Sequence, residues 1–406
     1  MAISVRKLVG ATLLWGAASI AQAQTLTLDA ALQTAFANNP DLAAAQWEIE
    51  IAAGGRQQAG LIPNPVASWD AEGTRRDTRT TTLKLSQTLE LGGKRDARID
   101  VATRAQDAAA LALEQRRNTL RVEVIDGYYG ALRAQERLDL AQRSLALAER
   151  GLVVANGRVT AGKSSPVEAT RAQVQLSEIR LELNRAHMGL TDAYRRLAAS
   201  TGSAATDFLT VATPSHSTPP LPSATQLLAR LEQTAELRLA ELQIVQNEAS
   251  VGLEKAQRIP DLDVSIGSQY DASVRERVNL VGVSMPIPLF SRNQGNVLAA
   301  TRRADQARDQ RNAAELRLRT ETRQALDLWQ TANSEVRAFN QQILPAAQRA
   351  VDSATRGFEM GKFNFLDVLD AQRTLIAART QYLAATAQAT DAWLRIERIY
   401  GDLARF

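Results

Sequence analysis

Two long rows of small and apolar side chains recur in the chain at a constant separation of 199 residues. The first row contains Ala172, Leu176, Ile179, Leu183, Ala186, Leu190, Ala193 and Leu197, and the second contains Ala371, Leu375, Ala378, Tyr382, Ala385, Ala389, Ala392 and Ile396. Steps of four and three place each row on one side of a helix, with the spacing of a coiled-coil seam. The pattern therefore predicts two long helices in equivalent positions of a duplicated chain.

A glycine–lysine turn precedes each row, at residues 162–173 and again at residues 361–372. In the first turn, Ser165 is placed to cap a helix that begins at Pro166, and Glu168 is placed to complete a capping box. In the second turn, Asn364 and Asp367 have the same spacing and predict the same kind of helix start. Both halves of the chain are thus predicted to reverse direction at a short turn that opens directly into a helix.

A longer helix is predicted upstream of each turn, at residues 94–156 and 294–356. The seam of this helix contains Leu138, Ala141, Leu145, Ala148, Leu152 and Ala155 in the first half, and Val336, Phe339, Ile343, Ala346, Ala350 and Ser353 in the second. Because these positions are 198 residues apart, we expect one extra residue to enter the second half near its turn. Pro345 lies inside the second helix and is expected to bend it.

Two pairs of extended segments alternate between apolar and polar side chains, in residues 66–91 and in residues 261–288. The alternating side chains include Leu83, Lys84, Leu85 and Ser86 in the first pair, and Leu262, Asp263, Val264 and Ser265 in the second. This period of two predicts a β-hairpin in each half. Each strand has about the length of a tilted membrane-spanning strand, ~9–11 residues. A soluble surface hairpin would show the same alternation, but two hairpins at equivalent places favour the membrane interpretation.

Residues 1–23 have the features of a secretory signal peptide, with Arg6 and Lys7 before an apolar run and small residues at its end. The remaining chain divides into a first repeat at 24–202, a linker rich in Pro, Ser and Thr at 203–224, and a second repeat at 225–402. Two short helices, at residues 28–37 and 40–59, lead into the first hairpin. At a rise of 1.5 Å per residue, the longest helices span about 95 Å and the return helices about half of that. The chain is therefore predicted to form a rod with hairpins at one end, turns at the other and the linker at the waist.

The composition excludes several other classes of protein. Aromatic residues make up only 5% of the chain, and 48 basic and 44 acidic residues are intermixed without the basic cluster that a nucleic-acid surface needs. The chain has no cysteine, and its two histidines, His187 and His216, lie on different segments without metal-ligand spacing. We therefore predict no enzymatic activity, no cofactor, no metal site and no nucleic-acid partner.

Four strands per chain cannot close a barrel, and an open sheet edge cannot face lipid because its backbone groups would lack partners. If the hairpins span a membrane, several chains must therefore share one barrel. Eight strands from two chains would enclose only side chains, whereas twelve strands from three chains begin to leave an open lumen. The predicted fold class is mainly α with a small β part. Long coiled-coil hairpins and four strands per chain build a homo-oligomeric transmembrane tube.

The predicted mature chain resembles the TolC-like outer-membrane efflux factors over essentially its whole length. The resemblance is carried by TLDAALQTAFANNPDL at residues 27–42, SQTLELGGKR at 86–95, and the stretch from ILPAAQ to AQRTL at 343–375. The LGGKR segment that follows the first hairpin is most similar to the cobalt–zinc–cadmium (CzcC-like) branch of this family. The resemblance implies a homotrimer with a twelve-stranded barrel in outer-membrane lipid and a helical tunnel in the periplasm.

The same resemblance implies a passive exit duct for substrates, with heavy-metal cations as the expected cargo. The duct would dock through a periplasmic adaptor, a membrane fusion protein, to an inner-membrane RND pump that supplies the energy. Multidrug efflux and type I protein secretion stay open as alternatives. A periplasmic coiled-coil adaptor or scaffold without a pore is the alternative from another class, but it would not need four alternating strands of membrane length.

The resemblance also places the carboxylates of a channel aperture at Asp367 and Asp370. Rings of carboxylates concentrate cations and repel anions in a narrow pore. Helix capping explains Asp367 equally well, but it does not explain Asp370. Phe358 and Phe363 lie where some members carry a tyrosine and an arginine, so an apolar constriction is expected here rather than a salt-bridged latch. Glu168 is the corresponding acidic residue of the first repeat.

The two turns are expected to form the tip that contacts the adaptor. The residues assigned to this tip are Gly162, Lys163, Gly361 and Lys362. Glycine permits the reversal of the chain, and the lysines are expected to be exposed. An ordinary helical hairpin would need the same glycines, so the turn by itself does not establish a docking role.

Overall fold

A computed structural model describes residues 25–213 and 221–403 of the chain. The predicted signal peptide and His216 lie outside the described residues. The described chain is mainly helical with a few strands, which confirms the predicted fold class in its coarse form. None of the described helices is both long enough and apolar enough to cross a membrane.

The first half of the chain contains a short strand, two short helices, a hairpin and a pair of long helices. These are β1 (Thr25–Leu26), α1 (Leu28–Asn38), α2 (Pro40–Ala59), β2 (Val66–Glu72), β3 (Thr80–Leu89), α3 (Lys94–Thr160) and α4 (Pro166–Ser200). Asn39 caps α2, because its side-chain oxygen accepts from the N–H groups of Asp41 and Leu42. With 67 residues, α3 is about 100 Å long and runs the length of the molecule.

The second half contains the same order of hairpin, long helix, turn and return helix. Its elements are β4 (Thr210–Val211), α5 (Ala224–Ala229), α6 (Ala235–Ala256), β5 (Leu262–Asp271), β6 (Glu276–Ser284), α7 (Gln294–Ala338), α8 (Leu344–Glu359) and α9 (Phe365–Tyr400). The last strand was predicted at residues 278–288, but it begins two residues earlier and ends four residues earlier. Pro286 and Pro288 explain the early end, because proline cannot donate to a strand ladder.

The strands and the upper helices follow the same lateral order. The sheet is antiparallel in the order β2-β3-β5-β6, so the two hairpins pair with each other through β3 and β5. Below the sheet, α2 packs on α3, α3 on α6, and α6 on α7. Both layers are therefore open at the same two edges, β2 with α2 on one side and β6 with α7 on the other.

The register of the sheet separates an apolar face from a polar face. Ala67, Leu85, Ile266 and Val281 form one row across all four strands, and Ser68, Lys84, Gly267 and Leu280 form the adjacent row on the other face. On the apolar face, Leu85 is 47%, Ile266 57% and Val281 80% exposed. The polar face carries Lys84 at mid-strand. A large apolar surface is thus left uncovered in the isolated subunit.

Charged side chains in and beside the LGGKR segment join the sheet to the helices. Arg98 forms an ion pair with Glu90 at the end of the strand, and its side chain also donates to the carbonyls of Ala59 and Leu61 at the end of α2. Lys94 donates to Asp261 of the second half over 2.5 Å. The motif therefore fixes the position of the first hairpin relative to both neighbouring segments.

The predicted linker contains ordered structure at the waist of the molecule. Its strand β4 pairs in parallel with β1, so the start of the first half is tied to the start of the linker. Tyr128 of α3 is 1% exposed, and its hydroxyl lies 2.6 Å from the carbonyl of Ala212 and 3.1 Å from that of Leu26. The sequence reasoning treated this segment as a loop because two-residue strands have no periodicity to detect.

A buried ion pair closes the C-terminal end of α9. Glu397 is 1% exposed, and its carboxylate accepts from Nε of Arg121 over 2.6 Å and from the N–H of Leu403 over 3.1 Å. Arg121 also donates to Asp402 over 2.9 Å. Burial raises the pKa of Glu397, and Arg121 opposes this effect. This ion pair joins the C-terminal end of α9 to the middle of α3.

A π-helical turn at Phe339–Ile343 separates α7 from α8, directly before Pro345. A π-turn takes up one extra residue, and here it also accommodates the missing N–H of the proline. The buried side chains that follow are Leu344, Ala347, Val351, Ala354 and Phe358. The first four lie one residue later than the positions predicted for the seam, which were 343, 346, 350 and 353. The predicted seam was therefore wrong after the π-turn. The extra residue enters at the π-turn rather than near the glycine–lysine turn.

Candidate channel aperture

Each half of the chain ends its long helix in a Schellman turn, in which N–H groups after the glycine bond to carbonyls of the last helical turn. Gly162 and Gly361 have φ angles of +66° and +74°, which favour glycine at these positions. The N–H groups of Lys163 and Lys362 each donate to the carbonyl five residues upstream, over 2.8 Å. The four residues predicted to form the tip thus occupy two turns of the same geometry, and both lysines are exposed.

The two turns rest on one apolar cluster, which we call the tip cluster. Its buried members come from α3, α4, α8 and α9, and they are Ala155, Ala172, Ala354, Phe358, Phe365, Val368 and Leu369. Small residues from the first half allow the aromatic rings of the second half to pack between the helices. All four helices are therefore joined by shared burial immediately before the turns.

Arg158 of the first half contacts the turn of the second half. Its guanidinium lies over the ring of Phe358, 4.8 Å from the centroid, and it donates over 3.4 Å to the carbonyls of Phe358 and Phe363. The sequence reasoning missed this residue. The two halves differ at this position, because the residue of the second half that is equivalent to Arg158 is Gly357. This difference was the available indication that Arg158 has a role of its own.

Glu168 also crosses from the first half to the second. Its carboxylate accepts from the N–H of Phe365, the first residue of α9, over 3.1 Å. The predicted capping box within the first turn was therefore wrong, since Ser165 caps α4 through the N–H of Val167 alone. Glu168 instead supplies a negative charge to the N-terminus of the neighbouring helix, where such a charge is stabilising.

Asp367 and Asp370 are both exposed, Asp367 in the first turn of α9 and Asp370 in the second. The carboxylate of Asp367 accepts from the N–H of Asn364 over 2.9 Å, which confirms its predicted capping role. The structure gives the carboxylate of Asp370 no hydrogen-bond donor or ion-pair partner among residues 25–213 and 221–403. Asp370 is thus a free negative charge close to the tip.

The two aromatic residues predicted to narrow the aperture have different surroundings. Phe358 is 2% exposed and stacks against Phe365 inside the tip cluster, with ring centroids 5.5 Å apart. Phe363 is 47% exposed, and its ring lies so close to Gly357 that a Cβ at that position would overlap it. Phe358 therefore belongs to the interior of the subunit, and of these two residues only Phe363 offers an apolar surface at the turn.

A groove of about 920 Å³ runs between α3, α8 and α9 above the tip. Its charged lining is Glu136, Asp139, Arg143, Arg150, Asp352, Arg356, Glu359 and Arg379. Burial raises the pKa of Glu136, and Arg379 opposes this effect. The four acidic and four basic side chains balance one another, so the groove has no net formal charge. In the described part of the chain, no three carboxylates or imidazoles come close enough together to hold a metal ion.

The sequence and the fold both define the class of this protein. The sequence profile of the outer membrane efflux protein family matches residues 31–203 and residues 229–402. The chain therefore belongs to the outer membrane efflux protein family, as the resemblance of its motifs predicted.

Particular relatives share most of the chain. The cobalt-zinc-cadmium resistance protein CzcC of Cupriavidus metallidurans is 39% identical over 376 residues, covering 93% of this chain and 90% of CzcC. Among solved structures, CusC has a TM-score of 0.77 at 21% identity and covers 92% of each chain. The outer membrane protein VceC of Vibrio cholerae has a TM-score of 0.75 at 19% identity, covering 91% of this chain and 95% of VceC. The structural likenesses establish the fold.

Proposed function

We propose that this protein is the outer-membrane channel of a tripartite efflux system and a passive exit duct for heavy-metal cations. The apolar face shared by all four strands is the observation that carries this proposal. In water, this face would leave Leu85, Ile266 and Val281 uncovered. Lipid covers such a face without cost, while the polar face with Lys84 meets the aqueous lumen.

Three copies of the chain complete the tube in this proposal. Strands β2 and β6 are the unpaired edges of the sheet, and their pairing between neighbouring subunits closes a barrel of twelve strands. Helices α2 and α7 lie below these same two edges. The rotation that relates neighbouring subunits would therefore pair β2 with β6 and also pack α2 against α7. The equivalent order of elements in the two halves supports their origin by duplication, as does the double match of the family profile.

The turn end of the molecule meets the rest of the efflux system in this proposal. The exposed Lys163 and Lys362 contact the periplasmic adaptor, which connects the channel to the inner-membrane RND pump. Asp367, Asp370 and Phe363 line the aperture, with one set from each subunit. The relative CzcC is named for resistance to cobalt, zinc and cadmium, which supports these cations as the cargo.

Deletion of the gene tests the proposed cargo. We expect the deletion strain to become sensitive to cobalt, zinc and cadmium salts while its tolerance of dyes and antibiotics stays unchanged. Plasmid-borne wild-type protein should restore growth on metals. Sensitivity to dyes and antibiotics with normal metal tolerance would favour multidrug efflux instead. A mature protein that stays monomeric and soluble without detergent would favour the adaptor alternative.

Asp370→Ala is expected to lower the preference of the channel for cations. A carboxylate about 8 Å from a passing ion contributes about 0.5 kcal/mol in water, and three subunits contribute about 1.5 kcal/mol. Screening over a Debye length of about 8 Å reduces this to about 0.6 kcal/mol. Because a monovalent cation gains this energy and an anion loses it, the cation-to-anion permeability ratio should change roughly five- to tenfold. Reversal potentials across planar bilayers measure this ratio. Asp370→Glu keeps the charge and should keep the ratio, and an unchanged ratio in Asp370→Ala would remove Asp370 from the aperture.

A further inference from the structure

Acidic and basic side chains are separated between the two faces of the sheet at the end that carries the hairpin loops, which we call the loop end. One row across the four strands contains Ala71, Thr81, Tyr270 and Arg277. The next row contains Glu72, Thr80, Asp271 and Glu276. Because successive residues of a strand point to opposite faces, Arg277 belongs to the apolar face and the three carboxylates belong to the polar face.

Arg79 extends the apolar face by one further row. It comes two residues before Thr81, and its carbonyl accepts from the N–H of Ala272 over 3.0 Å, so the ladder continues to this point. With about 3.4 Å per residue and about 4.8 Å between strands, the Cα atoms of Arg79 and Arg277 lie about 12 Å apart. Two extended arginine side chains can therefore contact one bulky headgroup between them.

Neither of these arginines is paired within the subunit. In the part of the chain that the structure describes, neither guanidinium has a hydrogen-bond or ion-pair partner, and Nε of Arg79 is also shielded from water. The carboxylate of Asp271, on the other face, accepts from the N–H and the hydroxyl of Ser273 over 2.8 and 2.6 Å. Both positive charges are thus left for an acceptor outside the subunit.

The two arginines lie at the height of a membrane boundary. Arg277 is four residue positions from the row of Ile266, and Arg79 is six. On strands tilted by about 40°, these positions are about 10 and 16 Å above Ile266. The apolar band of an outer-membrane barrel is about 25 Å tall, so its edge lies about 12 Å from its centre. Tyr270, directly beside Arg277, is a residue type that is enriched at this boundary.

We propose that Arg79 and Arg277 bind the phosphate groups of a phosphorylated glycolipid in the outer leaflet of the outer membrane. This inference rests on the proposed function, which places the loop end at the cell surface. A glycolipid with phosphates on its sugar headgroup covers the apolar rows with its acyl chains and pairs with both arginines above them. The planar guanidinium suits this partner, because it donates two parallel hydrogen bonds to a phosphate.

Binding of lipid A to the purified oligomer tests the proposal. Native mass spectrometry of the detergent-solubilised protein measures the fraction with bound lipid as the lipid concentration rises. We expect lipid A to bind about thirtyfold more tightly than its dephosphorylated form, since each arginine beside an anionic lipid contributes about a factor of five. Equal affinity for the two forms would overturn the proposal. Equal affinity for phosphatidylglycerol would overturn the assignment to a glycolipid.

Matched variants assign the affinity to the two arginines. Arg79→Ala combined with Arg277→Ala should remove the preference for the phosphorylated form, whereas the corresponding pair of lysine substitutions keeps the charge and should keep most of it. Lys84→Ala removes a positive charge from the polar face of the same sheet and should bind lipid A as the unaltered protein does. Unchanged binding in the double alanine variant, or an equal loss in Lys84→Ala, would contradict the proposed site.

The outcome for the lipid site is separate from the outcome for the proposed function. The comparison of the two lipid A forms uses the unaltered protein, so it decides the proposal even where the double alanine variant does not assemble. A membrane oligomer that ignores the phosphates would reject the lipid site alone. A soluble monomer would instead reject the proposed channel.

Discussion

Ile266→Arg is expected to prevent assembly of the channel in the outer membrane. Ile266 lies at the middle of β5 on the apolar face, in the row that crosses all four strands, and it is 57% exposed in the subunit. An arginine on the lipid face at mid-membrane costs about 2–4 kcal/mol. Three subunits bring this to about 6–12 kcal/mol, which is comparable to the whole stability of a typical folded protein, about 5–15 kcal/mol. The amount of folded oligomer in outer-membrane fractions, seen as an SDS-resistant band, measures the effect.

Gln269→Arg is the matched control for this variant. It introduces the same side chain three residues further along the same strand, in a row on the polar face with Asp70, Thr82 and Val278. We expect oligomer levels close to normal, because this face meets the aqueous lumen of the proposed channel. Equal loss in both variants would mean that the two faces do not differ in environment, and the membrane-spanning sheet would have to be abandoned.

Glu397→Ala is expected to lower the free energy of unfolding of the subunit by about 1–3 kcal/mol, the usual cost of leaving a buried donor without its acceptor. The substitution leaves the N–H of Leu403 without its acceptor, and Arg121, whose side chain is 23% exposed, keeps only its ion pair with Asp402. Thermal or denaturant unfolding of the detergent-solubilised protein, followed by circular dichroism, measures the change.

Glu335→Ala provides the comparison for this measurement. Glu335 is exposed on α7, and its side chain has no hydrogen-bond or ion-pair partner among the described residues. Its removal should change stability by no more than about 0.5 kcal/mol. If the two variants unfold at the same midpoint, the contacts of Glu397 contribute nothing beyond those of a surface carboxylate.

The helices and turns were predictable because their signals are local. The capping of α2 by Asn39, the glycines of the two turns and the start of α3 after Gly93 all depend on residues within one turn of each other. The hairpins were predictable for a related reason, since alternation along a strand directly reflects two different environments. The largest error was at the end of β6, where apolar side chains continue past the last ladder bond into the proline-containing segment.

The site was predicted less completely. Asp367 and Asp370 lie exposed near the tip as expected, but Phe358 lies in the interior and Arg158 was missed. The seam of α8 was assigned one residue too early, because the offset between the two halves reveals an extra residue but not the π-turn at which it enters. Glu168 shows the general difficulty: its spacing to Ser165 allows a capping box, but the competing donor at Phe365 lies 197 residues away.

The sequence by itself determined the long helices, the two hairpins, the two turns and the family, because each depends on periodicity or motifs within a short stretch. Only the tertiary structure decided that β3 pairs with β5, that one face of the sheet is apolar across all four strands, and that Glu168 caps α9. These features join residues from opposite halves of the chain. Spacing along the chain shows which partners a side chain can reach within its own segment. Tertiary packing determines which donor from a distant segment lies within hydrogen-bonding distance.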